Sequence, residues 1–396
     1  MGALLKSKRI SSLALPSPSL KTTMNFEISD ELKSARDSLA RVLADHFSPQ
    51  HRHALAADST SYAEQAWKEI AGLGLTGLQV PEAFDGLGGN FTDLLPLLYE
   101  LGHSLAPVPF LSTCVLGAVA LRMAGNPEVQ RTLLPTLAAG NLEVACPHTL
   151  APDSVPADVS AHTHNDHWLL NGAQKQLPYA VSADWLILVA KTDSTKGSQQ
   201  GLFLVARHAQ GVHFRAFRLI DGTPAADVRF ENTHATALCT PGSSEARASI
   251  DAMAAAGIAA TCAQMVGAME AALQLTVEYL KTRRQFGRPI GENQALRHRT
   301  AEMLVSLETA RSLAIAAAVA AGTGGFGQAH TRADLHRAKF LVGRNGRTLC
   351  QTAIQLHGGI GMTEEYAVGH YLRRVHVLDQ QFGNGAAHLR QLTQQG

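Results

Sequence analysis

The chain has 396 residues, 45% of them hydrophobic, with 34 lysines and arginines against 33 acids for a net charge of +1. That length suits two or three packed domains, and that balance excludes the global basic field that draws a protein to nucleic acid or an anionic membrane. The five cysteines (Cys114, Cys146, Cys239, Cys262, Cys350) are far apart without CxxC spacing, which argues against zinc and a disulfide framework and fits a reducing cytoplasm. No apolar run approaches the roughly 20 residues of a membrane span.

In chain order, residues 1–23 carry Lys6, Lys8, Arg9 and Lys21 among many serines and no acid. This composition suits a transit peptide and equally an over-long start ahead of Met24; the second reading is adopted, and either way the segment is expected to be disordered and dispensable. From Ser29 to about Gly140 apolar residues recur three and four apart, in Leu32–Phe47, Ala63–Leu73, Leu94–Leu105 and Val115–Gly125, which predicts helices. Asn126-Pro127-Glu128 reads as a further helix start, with a capping side chain, a pre-set φ and an acid at the positive end of the dipole. The Gly-rich stretch from Gly72 to Gly89 lacks the strand-then-helix context of a dinucleotide fingerprint and is expected as loop.

Between Glu143 and Cys239 the period changes to two. Trp168–Asn171, Asp184–Ala190, Leu202–Ala206, Val212–Arg218 and Val228–Glu231 read as five short strands of a small antiparallel sheet or barrel, separated by turns such as Asn171-Gly172 and the polar run Thr192–Gly201. After Gly242 the helical period returns. Apolar residues from Ile250 to Leu280 step by three to five over some eight turns, which fits the core of a bundle; further helices are expected at Gln294–Gly322, Thr331–His357 and Glu364–Leu392. The expected domains are a disordered extension (1–23), a helical domain (24–143), a β domain (144–241) and a four-helix bundle (242–396), a mainly α fold with a small β domain.

Two bundle corners carry chemistry. Arg283 to Gln294, RRQFGRPIGENQ, sets adjacent cations and an aromatic ring in a corner punctuated by Gly287, Pro289 and Gly291, and a guanidinium fork matches phosphate oxygens. Alone it reads first as a basic surface turn. At the other corner, QLHGGIGMTEEY (Gln355–Tyr366), glycines 358, 359 and 361 remove side chains so that backbone N–H groups can approach a diphosphate closely, although a lone GGxG also ends helices.

The order of domains and these two motifs together resemble the acyl-CoA dehydrogenase family over Met24 to about Leu392. The resemblance implies an FAD-dependent oxidoreductase acting on the CH–CH bond of an acyl-CoA, with electron-transfer flavoprotein as acceptor, in fatty acid metabolism. It also implies an oligomer, because in the family the two corners come from different subunits and meet around the ADP half of FAD. By that resemblance Arg283 holds the pyrophosphate, Phe286, Ile290 and Gln294 line the adenosine side, and Gln355, Gly358 and Gly359 close it from the neighbouring protomer.

The likeness weakens at the flavin ring. The family's aromatic-Thr-Glu-Pro-x-x-Gly-Ser-Asp stretch is replaced by ACPHTLAPDSV (Ala145–Val155), and its Trp-Ile-Thr-Asn by Leu177-Pro178-Tyr179-Ala180; Tyr179 reads either as a ring shield or as a core or rim residue. Acyl-CoA dehydrogenation needs a carboxylate beside the α-carbon. The family's usual glutamate position falls on Phe382, and its alternative on Gly257, so neither can take a proton. Asp379 and Glu364 are the nearest carboxylates in sequence, and each reads first as a surface or helix-cap acid and only second as a displaced base. LDQQFGNGAAHL (Leu378–Leu389) looks like the small subunits of heteromeric acyl-CoA dehydrogenases of the pimeloyl-CoA and steroid side-chain types, where a partner carries the glutamate. A homomeric enzyme with a displaced base and a non-catalytic subunit completing a partner's FAD site stay open beside that reading. The eighteen histidines, His51, His53, His162, His164 and His298 among them, form no metal spacing.

Overall fold

The structure, a computed structural model, describes residues 29–47, 64–150, 158–165, 167–194 and 197–394, so the N-terminal extension, His51 and His53 lie outside the described residues. The fold opens with α1 (Asp30–His46), α2 (Glu64–Gly72) and α3 (Leu95–Ser104). A π-helical stretch, Leu111–Gly117, then runs into α4 (Ala118–Arg122), and α5 (Pro127–Ala138) follows. The expected start of α5 is in place: Asn126 Oδ1 accepts from the N–H groups of Glu128 and Val129 at 3.0 and 3.3 Å, with Pro127 in the first turn. Gly72–Gly89 is a connection broken only by the short 3-10 turns Leu75–Gly77 and Glu82–Phe84.

The β part contains β1 (Val144–Ala145), β2 (Val159–His164), β3 (His167–Pro178), β4 (Trp185–Ser194), β5 (Gly197–Ala206), β6 (Val212–Arg218) and β7 (Pro224–Ala237). The pairings β4–β2, β2–β3, β3–β7, β7–β5 and β5–β4 close a ring, with β1 added to β4 and β6 to β7, so of the two expected arrangements the barrel is formed. It is not purely antiparallel, because β1 and β2 each pair parallel to β4. Two expected separators lie inside strands. Asn171-Gly172 sits within β3, where Asn171 Nδ2 donates to Asn232 Oδ1 on β7 and Gly172 (φ 117°) marks a register shift. The polar run at Thr192 extends β4 and β5 as a hairpin, with Ser194 opposite Gly197. A polar outer face satisfies its backbone in the ladder as readily as an apolar one, so polarity alone did not mark a break.

The second helical part consists of α6 (Ser244–Thr282), the two-stranded corner β8 (Arg284–Gln285) and β9 (Arg288–Pro289), α7 (Gln294–Thr323), α8 (Ala329–His357), α9 (Val368–Gln380) and α10 (Gly385–Gln394). The fourth expected helix is split, since Phe382 (φ 56°) and Gly383 (φ 91°) adopt left-handed backbone that a right-handed helix cannot contain. By length and composition α6 and α7 could each cross a membrane, which the sequence reading missed by not counting their alanine-rich runs as apolar; the apolar window of α6 is 94% buried within the fold, that of α7 39%.

One apolar core joins the first helices to the second helical part, and the barrel has its own. Helix α3 crosses α6 so closely that a Cβ on Gly102 would collide with the Gln264 carbonyl, and one on Gly267 with the Tyr99 carbonyl. Tyr371 Oη of α9 donates to His103 O at 2.8 Å, and Arg374 of α9 pairs with Asp221 of the β6–β7 turn at 2.7 Å. These ties bring all three parts together around the end of α9.

Candidate functional site

The arginine corner is a two-residue hairpin. Helix α6 ends at Thr282, Arg283 N–H still donates to Tyr279 O, and the chain reverses through Phe286 (φ 51°) and Gly287 (φ 83°). Two left-handed residues in succession suit the twist of a hairpin, and Phe286 bears the strain. Its ring is 101% exposed. Among the described residues the Arg283 and Arg284 guanidinia form no ion pair, whereas Arg288 donates to Asn293 Oδ1 at 3.3 Å and Arg297 to Gly291 O at 2.8 Å. Ile290 is half-buried against the core, and Gln294, at the first turn of α7, is exposed.

The glycine motif ends α8. Gly358 (φ 66°) turns the chain, Gly358–Met362 forms a 3-10 turn, and nothing lies within 4 Å of a Cβ built on Gly358 or Gly359. Gly361 is different: a Cβ there would come 2.9 Å from Ile354 O, so its lack of a side chain serves packing. Gln355 is exposed, as is Met362 at 77%. Behind the turn His357 is buried between Tyr279 of α6 (ring centroids 4.5 Å) and Tyr366 (4.8 Å), its Nδ1 donating to Ala353 O at 2.7 Å. This cluster holds the base of the glycine turn against the last turn of α6, so both motifs share one end of the helical domain. The two motifs are exposed there with cations and backbone open, which is the chemistry a dinucleotide diphosphate requires.

The two expected base positions, Phe382 and Gly257, meet. Phe382 is 0% exposed and lies directly over Gly257 of α6: a Cβ on Gly257 would sit 2.6 Å from Phe382 Cδ1 and closer still to Cε1 and Cζ. The left-handed turn carrying Phe382 is held by its backbone, N–H to His148 O at 2.7 Å and O from His388 Nε2 at 3.0 Å. Its ring stacks on His148 with centroids 5.5 Å apart. No ionisable side chain occupies either position.

The weaker carboxylate candidates point elsewhere. Asp379 is 1% exposed, pairs with Arg347 of α8 and packs on Gly343; Glu364 is exposed and pairs with Arg373 at 2.7 Å. Beside Asp379, the fully buried Lys339 donates to Leu378 O and to Thr261 Oγ1, and burial pushes its ammonium down to about 8. His336 and His388 share a 2.8 Å Nδ1–Nδ1 hydrogen bond, and burial, then the Lys339 charge, lowers His388 to about 3.

Around Phe382 runs a polar wall. His148 Nε2 is 2.9 Å from Ser112 Oγ in the π-helical stretch; burial, then the Arg374 charge, holds His148 at about 3, with Gln381 opposing. Besides Asp221, Arg374 donates to Thr223 Oγ1 (3.0 Å) and Gln264 Oε1 (2.6 Å). Tyr179 is buried in the same wall, with left-handed backbone (φ 57°), its N–H donating to Pro224 O and its phenol pushed up by burial. The space these residues enclose is about 10 Å³. His148, Gln264, Arg374 and Gln381 escaped the sequence reading; the one available signal was that His148 lies in the stretch that departs from the family pattern.

Helices, a small barrel and helices again, with the two exposed motifs at one end of the last part, define a three-part flavoprotein architecture. Residues 29–141 match the family model for the acyl-CoA dehydrogenase N-terminal domain, and residues 252–396 that for the C-terminal domain. The chain is 30% identical to the acyl-CoA dehydrogenase IpdE2 of Mycobacterium tuberculosis over 349 residues, covering 88% of this chain and 91% of that one. Among solved structures, a variant of the Tcur3481-Tcur3483 steroid ACAD superposes with a TM-score of 0.81 at 28% identity over 93% of this chain and 98% of that one. A glutaryl-coenzyme A dehydrogenase shares the fold, with a TM-score of 0.83 at 24% identity over 93% and 96% of the two chains. The chain belongs to the acyl-CoA dehydrogenase family, oxidoreductases that act on CH–CH bonds with FAD.

Proposed function

We propose that this chain is a subunit of a hetero-oligomeric, FAD-dependent acyl-CoA dehydrogenase in which a homologous partner carries the glutamate base. The observation that carries this reading is Phe382. At one of the family's carboxylate positions stands a buried ring, and that ring fills the space above Gly257, the other. Neither position moves a proton. A solved neighbour that is itself a two-protein assembly, Tcur3481-Tcur3483, supports the partner reading by analogy.

FAD, when bound, supplies the acceptor for the β-hydrogen as hydride. In this reading Arg283 holds the pyrophosphate, Phe286, Ile290 and Gln294 line the adenosine side, and Gln355, Gly358 and Gly359 close the site across a subunit interface. The exposure of all but the half-buried Ile290 within one chain supports a site completed by another, and so does the apolar face that α7 leaves uncovered. Electron-transfer flavoprotein is the proposed acceptor and the cytoplasm the proposed compartment, with domains at 24–143, 144–241 and 242–396.

A homomeric enzyme with a displaced base gains little from the geometry, because Asp379 is committed to Arg347 and Glu364 lies on the surface with Arg373. A purely structural subunit would present the same corners, and flavin content separates it. The test is to purify the chain alone and together with a homologue that carries the glutamate, then follow flavin bleaching by a panel of acyl-CoAs. Bleaching that needs both chains supports the proposal; bleaching by this chain alone refutes it.

A further inference from the structure

Strand register gathers on the barrel a group of histidines that their spacing along the chain left apart. In β2, Val159 and Ala161 enter the barrel core, while Ser160, His162 and His164 point away from it. His164 lies directly opposite His167 of β3, and His162 lies opposite Leu169, which faces His234 of β7. Side chains two apart on a strand, and those opposite each other on a ladder, share a face. His162, His164, His167 and His234 therefore stand on one outer face across three adjacent strands, and all four are exposed. Chain spacing hides this, because His234 is distant in sequence and reaches the others only through the β3–β7 ladder.

His167 is at the centre of the group. It is the cross-strand partner of His164, and its ring meets that of His234 with centroids 5.6 Å apart and planes at 75°. A metal–imidazole bond is about 2.0–2.1 Å long, so two rings on one tetrahedral ion have centroids about 5 Å apart. The His167–His234 pair is only slightly wider than that. Opposite residues of an antiparallel ladder hold their Cβ atoms about 4.5–5.5 Å apart, which puts His164 within reach of the same point. Asn165 Nδ2 donates to His164 Nε2 at 3.2 Å, so this nitrogen carries the free lone pair that a metal takes. Next along the face, Asn171 and Asn232 bond each other at 3.0 Å and do not compete for the rings. Among the described residues no three ligating side chains already converge, and a rotamer change of the exposed His164 supplies the third. We infer that His164, His167 and His234 form a surface site for one divalent ion of the imidazole-preferring first-row series, Zn²⁺, Ni²⁺ or Cu²⁺, with water completing the coordination. Three imidazoles select these ions over Mg²⁺ and Ca²⁺, which take oxygen ligands. The ion ties the β2–β3 hairpin to β7, on the barrel and not at the two motif corners of the helical domain.

The test uses the full chain, freed of metal with a chelator and titrated calorimetrically with zinc chloride. One ion per chain is expected, together with a zinc-dependent rise in Tm, because an ion that binds the folded barrel stabilises it by mass action. His167→Gln should weaken binding by about tenfold or more, since even the partners that merely orient metal ligands are worth about that much. The same change should abolish the rise in Tm, and His234→Gln and His164→Gln should each weaken binding. All three side chains are exposed, so these variants keep the fold. His213→Gln, whose ring sits 3.7 Å from Glu231, and His53→Gln should leave binding unchanged. With Cu²⁺ in place of zinc, electron paramagnetic resonance should show nitrogen coupling from more than one imidazole, diminished in His167→Gln. A chain that binds no zinc, or binding that His167→Gln leaves intact, overturns the site.

Discussion

Gly257→Ala should destabilise the protein, although alanine in a helix interior is ordinarily better than glycine by about 1 kcal/mol. The added methyl would lie 2.6 Å from Phe382 Cδ1 and nearer to two other ring carbons, where carbon atoms normally stay about 3.5 Å apart. The ring cannot swing away cheaply, because it is fully buried and its backbone is tied to His148 and His388. Overpacking of this kind costs about 1–3 kcal/mol, so after the helix gain the net loss should be up to about 2 kcal/mol. The decisive measurement is a double-mutant cycle. Phe382→Ala alone should cost about 3–5 kcal/mol as a cavity, but in that background Gly257→Ala should recover about 0.5–1 kcal/mol, as in an open helix. Urea midpoints of the four proteins, at one protein concentration and one FAD concentration, read the sign directly. A Gly257→Ala that is stabilising on its own, or equally costly in both backgrounds, refutes the argument that the ring fills the space above Gly257.

Three further outcomes follow from the same structure. Arg283→Ala should weaken FAD binding by about 1.5–3 kcal/mol, the worth of a charged hydrogen bond, in a flavin titration of the oligomer; unchanged affinity removes Arg283 from the site. His148 and His388 sit near 3 in the fold against 6.5 when unfolded, so between those values the unfolded chain binds more protons and stability falls as pH drops below about 6.5. Denaturation midpoints from pH 7 to 4 should show that slope, and His388→Gln should lessen it. Lys339, near 8 in the fold against 10.5 unfolded, acts on the alkaline side: the unfolded chain again binds more protons, so its contribution to stability rises between about pH 8 and 10.5. The stability of the unaltered chain relative to Lys339→Met should therefore grow from pH 7.5 to 9.5, and a flat difference would show that Lys339 titrates normally.

Periodicity made the helices legible because burial on a helix repeats at 3.6 residues, and α5 even announced its first residue through Asn126 and Pro127. Barrel strands with polar outer faces were harder. β2, VSAHTH, alternates small apolar with polar residues too weakly to stand out, and its parallel pairing with β4 depends on distant chain. The break in the fourth helix was written in Gly383-Asn384-Gly385, yet Phe382 beside it looked helical, since the left-handed backbone of a phenylalanine is imposed from His148 and His388. The two motifs were readable as short strings because each concentrates its chemistry in consecutive residues. His148, Gln264, Arg374 and Gln381 were not, being assembled from three separate segments, the stretch after β1, α6 and the end of α9.

The turn at Phe382 is formed by main-chain atoms: its N–H is held by one segment and its carbonyl by another, and neither bond uses the ring. The fold therefore treats this residue as a socket, in which the identity of the side chain can change while the loop that aims it stays put. A protein built this way can exchange chemistry for packing at one codon, which is the change the proposed division between a reacting and a filling chain requires.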